Sequence, residues 1–246
     1  MLLLVAWYVA LGAFLFMRPV AATAWVLAIV AAFVVVHVRP GRKGRRRQAR
    51  LGARVPRMSM RWIALVSVPA QATNVALAIL AIAVAGMPSD VDPFAKYVTQ
   101  PLGWLPVVVT AIIAAPIIEE LILRGMMQRT LERRIGGPAA IWSSALLFAA
   151  IHLQLVGFLN RLALGLILGY AVYRTRSIWS SVLIHALINL GITLLSLIPS
   201  DDAKLLSIIR SWPMLLACTI AIIASAVALY WLDRASRRTP AITAFS

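Results

Sequence analysis

The chain has 246 residues, of which 62% are hydrophobic and only 13% are charged, and its mean hydropathy is +0.90. A soluble domain carries about 25% charged residues, so this composition excludes an ordinary soluble globular protein. Apolar stretches long enough to cross a bilayer recur along the chain, and they do not alternate with polar residues as barrel strands do. We therefore predict an all-α polytopic transmembrane helical bundle, forming a single membrane domain over residues 1–246.

The formal net charge of +16 is concentrated in one segment. Ten of the 24 basic residues lie between Arg39 and Arg61, and that stretch contains no acid. This pattern predicts a basic cytoplasmic loop at residues 39–61, which sets the orientation of the chain and contacts anionic lipid headgroups. Nucleic acid is not an expected partner, because no aromatic residues interleave the arginines as a single-strand platform requires.

Eight spans are predicted, with about these bounds: 2–17, 20–38, 62–86, 102–123, 138–157, 159–173, 177–198 and 212–232. If both termini are cytoplasmic, the cytoplasmic segments hold 19 basic residues and the external segments hold five. This positive-inside bias favours a multi-pass protein of the plasma membrane with that orientation. The first span resembles a signal peptide in its "ATA" at Ala22–Ala24, but no basic region precedes it, so a retained helix is the preferred interpretation.

Three of the predicted spans carry polar or ionisable residues at membrane depth. They are Glu119, Glu120 and Arg124 in the fourth span, His152 in the fifth, and His185 and Asn189 in the seventh. A charged side chain near the centre of a membrane helix costs roughly 2.5–3.5 kcal/mol on insertion scales, so such residues usually have a function. These residues are therefore the candidates for a functional site.

Helical spacing separates the two glutamates. Glu120 and Arg124 are four residues apart with the acid first, which favours an ion pair on one face of the helix. Glu119 lies about 100° further around the helix, so it is expected to face the bundle interior instead. Pro116 lacks a backbone N–H, and in an α-helix it leaves the carbonyl of Ile112 unpaired and bends the helix just before Glu119.

The same spacing argument places the other polar residues. His185 and Asn189 are four residues apart and can project into one cavity. Phe148 lies one turn before His152 and is expected to form an apolar wall beside its imidazole. The glycines of "GLILG", Gly165 to Gly169, are expected to allow close packing of two helices.

One carboxylate, two histidines and an amide suggest water attack on an amide bond. Glu119 can take the proton from water, with His152 holding the water or relaying the proton. His185 and Asn189 can donate hydrogen bonds to an oxyanion. An alternative is a divalent metal such as zinc on Glu119, His152 and His185. No "HExxH" is present and Asn189 is a poor zinc ligand, so no cofactor is favoured and the metal-free version is preferred.

Two non-enzymatic interpretations compete with this one. The polar groups can hold helices together by hydrogen bonds, although polar residues in helical register on three spans are more than packing needs. Buried Glu and His residues also form proton relays in transporters. A proton-coupled transporter predicts two related halves with broken helices, and the sequence shows no internal repeat.

Three short motifs carry a resemblance to a known family. They are "EELILR" at Glu119–Arg124, "FAAIH" at Phe148–His152 and "HALIN" at His185–Asn189. In this order on successive hydrophobic segments, they resemble the EExxxR, FxxxH and HxxxN motifs of the CPBP family. This family comprises CAAX-protease and bacteriocin-processing membrane proteins related to the type II CAAX prenyl endopeptidase. The resemblance covers a family-type core at residues 105–192.

The resemblance implies an intramembrane endopeptidase. The depths of the candidate residues along their predicted spans place the cut near the cytoplasmic face. Glu119 would activate water with His152 as its partner, and His185 and Asn189 would bind the oxyanion. Glu120, Arg124 and Phe148 would support them. The implied partner is a peptide or protein substrate, with prenylated and membrane-associated proteins as candidates. A non-catalytic membrane partner or immunity protein on the same scaffold is the alternative.

Overall fold

The structure is a computed structural model that describes Gly52 and residues 60–86, 104–152, 154–196 and 202–238. These residues form helices, turns and short connections, with no strand among them. The helices of this part of the chain are α1 Met60–Ala85, α2 Trp104–Val107, α3 Ala115–Glu120, α4 Arg129–Ile135, α5 Gly137–Ala150, α6 Phe158–Thr175, α7 Ile178–Ser196, α8 Asp202–Ile209 and α9 Trp212–Arg238. Two π-helical segments, Val108–Ala114 and Leu121–Gln128, flank α3.

Three of these helices are long and apolar enough to cross a membrane: Arg61–Ala85, Ile178–Leu195 and Trp212–Trp231. They correspond to the third, seventh and eighth predicted spans, so the chain is a helical membrane protein. The first two predicted spans, the "ATA" site and the basic loop apart from Gly52 lie outside the described residues. The number of eight spans and the cytoplasmic position of both termini stay predictions.

Two predicted spans differ from the observed helices. The fourth span was expected at 102–123, but helical structure runs without a break from Trp104 to Ile135, switching between α and π geometry. The fifth was expected at 138–157, whereas α5 ends at Ala150 and residues 151–152 form a turn. The short helix α8 lies where only an external loop was predicted. Hydropathy locates apolar segments and does not report where the backbone changes helix type or turns.

Helix packing is closest around α6. This helix lies along α5 and also contacts α1 and α7. Gly165 permits the approach, since a Cβ atom at this position would lie 2.9 Å from the Cα of Ala145 in α5. The core between these helices includes Phe148, Leu168 and Ile184, which are almost fully buried. The polar residues of the three motifs lie against this core.

Candidate active site

A buried ion pair links the first motif to the third. The Arg124 Nη1 donates to Glu120 Oε1 at 3.1 Å, and both side chains are 0% exposed. The same Oε1 lies 3.1 Å from the Nδ1 of His185. Because an ionised carboxylate only accepts hydrogen bonds, Nδ1 of His185 is the donor in this contact. The ion pair predicted from the spacing is present, and the structure adds His185 as a second partner of Glu120.

The other side of the Arg124 guanidinium contacts α5 and α6. Its Nη2 donates to the backbone oxygen of Gly165 at 3.1 Å. Its Cζ lies 4.8 Å from the centre of the Phe148 ring, a distance typical of a cation–π contact. The planar guanidinium of arginine suits this arrangement. Its two terminal nitrogens bond different partners, and its flat face covers an aromatic ring.

Phe148 lies between the two histidines. Its ring centre is 5.0 Å from that of His152 and 5.5 Å from that of His185, and both contacts are edge-to-face. Such pairs contribute about 0.5–1.5 kcal/mol beyond the area that they bury. The residue predicted as an apolar wall beside His152 therefore also touches His185 and Arg124, and it joins the second motif to the other two.

His152 lies just beyond the C-terminal end of α5, where the helix leaves carbonyl groups without a partner. The Nδ1 of His152 is 2.7 Å from the backbone oxygen of Phe148. A carbonyl can only accept, so Nδ1 carries the proton of the neutral ring and Nε2 carries the lone pair. The side chain thus caps the helix and is fixed in one tautomer by that bond.

Asn189 donates a hydrogen bond to the π-helical segment that precedes α3. Its Nδ2 donates to the backbone oxygen of Ala111 at 2.7 Å. Residues 108–114 are π-helical, and in a π-helix each carbonyl pairs with the N–H five residues later in the chain. For the carbonyl of Ala111 that position is 116. That residue is Pro116, which has no N–H to give. The carbonyl that Pro116 leaves without a backbone donor is therefore that of Ala111. The carbonyl expected from the sequence was that of Ile112, because α-helical geometry was assumed.

Glu119 is buried at the C-terminal end of α3, next to Glu120, with 5% of its surface exposed. Its place beside the ion pair agrees with a site at this position, and its role in activating water stays a prediction. The assignments of His152, His185 and Asn189 as catalytic groups likewise stay predictions.

Gln128 belongs to the same polar layer and was not predicted. It is fully buried, and its Nε2 donates to the backbone oxygen of Gly169 and to Glu132 Oε1, at 3.0 Å each. Two equal spacings in the sequence could have indicated this contact. Arg124 and Gln128 are four residues apart, as are the two glycines whose carbonyls they bond. "GLILG" thus provides close packing and also exposes two carbonyls to polar side chains.

The described residues do not form a metal centre. Among them, no three His, Cys, Asp or Glu side chains come close enough together to hold a metal ion. The conditional ligand set of Glu119, His152 and His185 is therefore not assembled in this arrangement. In addition, Nδ1 of each histidine is already bonded within the protein, which leaves only Nε2 of each ring as a ligand atom. The preference for a metal-free site stays a prediction.

Comparison with known proteins identifies the region that carries these residues. Residues 101–191 match the Rce1-like family model, which is described as type II CAAX prenyl endopeptidase Rce1-like. This region is similar to the Rce1-like family. The resemblance indicated by the three motifs is thereby confirmed, and the Rce1-like region contains all seven candidate site residues. No curated protein and no solved structure matched the chain.

Replacing Arg124 tests how much the ion pair stabilises the Rce1-like region. Arg124→Ala leaves the carboxylate of Glu120 buried without its cation, and we expect a loss of about 3–5 kcal/mol in the free energy of unfolding. Arg124→Lys should recover only part of this loss, because an ammonium cannot bond Glu120 and Gly165 as a planar fork does. Unfolding in detergent micelles would measure both. Arg133→Lys, at an exposed position, is the matched control, and an Arg124→Ala protein as stable as this control would contradict the prediction.

A double-mutant cycle tests the pairing of Asn189 with the carbonyl of Ala111. Asn189→Ala should cost about 1–3 kcal/mol of stability, since the carbonyl loses its donor. In a Pro116→Ala background the same change should cost less, because residue 116 then has an N–H for that carbonyl. The measurement is the coupling free energy from four unfolding experiments. Additive effects of the two substitutions would show that Asn189 does not compensate for the proline.

Proposed function

We propose that this protein is an intramembrane endopeptidase of the CAAX-protease type, which hydrolyses a peptide bond by attack of water. The match to an Rce1-like family supports a protease role in general. The observation that carries the specific proposal is the convergence of the three motifs on Phe148, whose ring touches Arg124, His152 and His185. Residues from separate helices meet in one buried cluster, as a catalytic site requires and as isolated helix-packing contacts do not.

The proposed reaction begins with Glu119 and His152. Glu119 takes a proton from water while the water oxygen attacks the carbonyl carbon of the substrate. The Nε2 of His152 accepts a hydrogen bond from that water, because Nδ1 holds the only proton of the neutral ring. When the C–N bond breaks, the proton passes from Glu119 to the leaving amine nitrogen. No step in this sequence needs a metal.

His185 can stabilise the oxyanion only in its protonated form. Its Nδ1 proton is donated to Glu120, so in the neutral ring Nε2 has no proton to give. The imidazolium supplies a second N–H at Nε2. Glu120 then lies between two positive charges, those of Arg124 and of the imidazolium. Before the attack, the two carboxylates of the first motif balance the charges of Arg124 and the imidazolium. When Glu119 takes the proton from water, the oxyanion replaces its negative charge, so the total stays zero.

The substrate proposed for this site is a peptide or protein at the membrane, with prenylated proteins as the leading class. This choice rests on the description of the matching family, whose name refers to CAAX prenyl endopeptidases. We place the cut near the cytoplasmic face of the plasma membrane, on the strength of the basic-residue bias along the chain.

The proposal predicts that two substitutions abolish cleavage. Glu119→Gln and His152→Ala should each lower kcat by about 10²–10⁴-fold, the usual contribution of a general base and its partner. The assay uses purified protein in nanodiscs with farnesylated and unmodified peptides that end in the CAAX pattern. Glu132→Gln, which removes a carboxylate from the Arg176 ion pair in the same helical stretch, is the matched control.

The same variants separate the enzyme from its non-catalytic alternative. If Glu119→Gln and His152→Ala fold normally and both keep the full biological activity of the parent protein, the peptidase proposal fails. An immunity or anchoring protein on this scaffold would behave in that way.

Metal analysis tests the metal-free chemistry. We expect purified active protein to contain less than one zinc ion per chain and to keep its activity after dialysis against a chelator. His185→Ala is measured beside the parent protein. Stoichiometric zinc that is lost in His185→Ala would overturn the metal-free mechanism and support zinc bound by Glu119, His152 and His185.

A further inference from the structure

A cavity lies among α1, α6, α7 and α9. Its volume is about 270 Å³, and none of the seven candidate site residues line it. The walls are mostly apolar and include Val66 of α1, Ile167 of α6, Ile184 of α7 and Leu229 of α9. Cavities of this kind lie at the lower end of the size range of ligand sites, and they suit a slender apolar group.

One end of the cavity is charged. Arg174 and Asp233 lie there, and the Nε of Arg174 donates to Asp233 Oδ1 at 2.7 Å. The two side chains are 25% and 19% exposed, so this end is open. A guanidinium has five N–H donors, and the terminal amino groups of Arg174 form no hydrogen bond with the described part of the chain. They remain able to bond a phosphate, which arginine binds with two parallel N–H donors.

The sequence around this end adds to its positive charge and interfacial character. Trp62 lines the cavity and directly follows the basic residue Arg61. Tryptophan rings favour the boundary between acyl chains and headgroups. The polar end of the cavity thus has the features of a headgroup region, and the apolar walls extend from it into the helix bundle.

We propose that this cavity binds one acyl chain of an anionic phospholipid, whose phosphate lies against the terminal amino groups of Arg174. The apolar walls alone would not select such a ligand, because membrane lipid already surrounds an acyl chain with equally apolar groups. Selection comes from the charged end, so an anionic headgroup is preferred over one without net charge. This site is separate from the peptidase chemistry and does not depend on it.

Occupancy of the cavity should affect the neighbouring site through α7. Ile184 lines the cavity, directly precedes His185 and belongs to the same core as Phe148. An acyl chain packed against Ile184 restrains the part of α7 that carries His185. A lipid that binds only the folded protein also raises its stability by mass action.

The test is lipid binding to the full chain in detergent, followed by native mass spectrometry. Dioleoyl phosphatidylglycerol, dioleoyl phosphatidylcholine and oleate are titrated separately, so that headgroup charge and a free carboxylate are distinguished. We expect one phosphatidylglycerol per chain, with a Kd about tenfold below that of phosphatidylcholine, as for one charge-assisted hydrogen-bonded contact.

Two kinds of variant locate the bound lipid. Arg174→Gln should remove the preference for phosphatidylglycerol, whereas Arg234→Gln, whose guanidinium lies over Trp231, should keep it. Ala171→Phe and Val66→Phe fill the cavity from two helices and should each prevent binding of the tightly held lipid. Equal loss of preference in both arginine variants would assign the lipid to the general basic surface and overturn the proposal. Binding of oleate without phosphatidylglycerol, or binding unchanged in both phenylalanine variants, would also overturn it.

Discussion

A buried arginine in an apolar helix bundle needs partners for its charge and for its donors, and Arg124 finds them on its own helical stretch and on two neighbouring helices. Its carboxylate partner Glu120 lies at the end of α3, its carbonyl partner Gly165 lies on α6, and the Phe148 ring that it covers lies on α5. Through Glu120 the network extends to His185 on α7. The arrangement of the motif residues therefore depends on this ion pair, since removing Arg124 would leave the carboxylate of Glu120 buried without its cation.

The two π segments explain how a short helix carries both glutamates into this network. Each π turn holds more residues than an α turn, so the segments on either side of α3 rotate its side chains relative to a continuous α-helix. Pro116 leaves a carbonyl unpaired on the way, and Asn189 on α7 pairs with it. Bonds on either side of α3 thus come from the same helix, α7, through His185 and Asn189. Glu119 lies between these two attachments, on the stretch of backbone that they hold.

The sequence predicted the features that depend on local spacing. The pairing of Glu120 with Arg124, the place of Phe148 beside His152 and the close packing at Gly165 all follow from residues four apart on one helix. The contact of Glu120 with His185 could not be predicted, because 65 residues separate the two and only helix packing brings them together. The end of α5 at Ala150 was missed because Ile151, Leu153, Leu155 and Val156 keep the hydropathy of the segment high. In the structure, the His152 side chain bonds a carbonyl at the helix end.

Both histidines follow one arrangement, and this limits the chemistry of the site. Each ring uses Nδ1 to bond the protein, one to a backbone carbonyl and the other to a carboxylate, and each therefore presents Nε2. The difference between the two partners matters. The carbonyl of Phe148 carries no charge, and the neutral ring of His152 presents its Nε2 lone pair, which under the proposed mechanism would accept a hydrogen bond from water. The carboxylate of Glu120 carries a negative charge, and the proposed contact with the oxyanion would use the remaining nitrogen of His185, Nε2. The opposite roles proposed for the two histidines would follow from this one difference between their Nδ1 partners, and the ion pair between Arg124 and Glu120 places a negative charge beside His185 alone of the two.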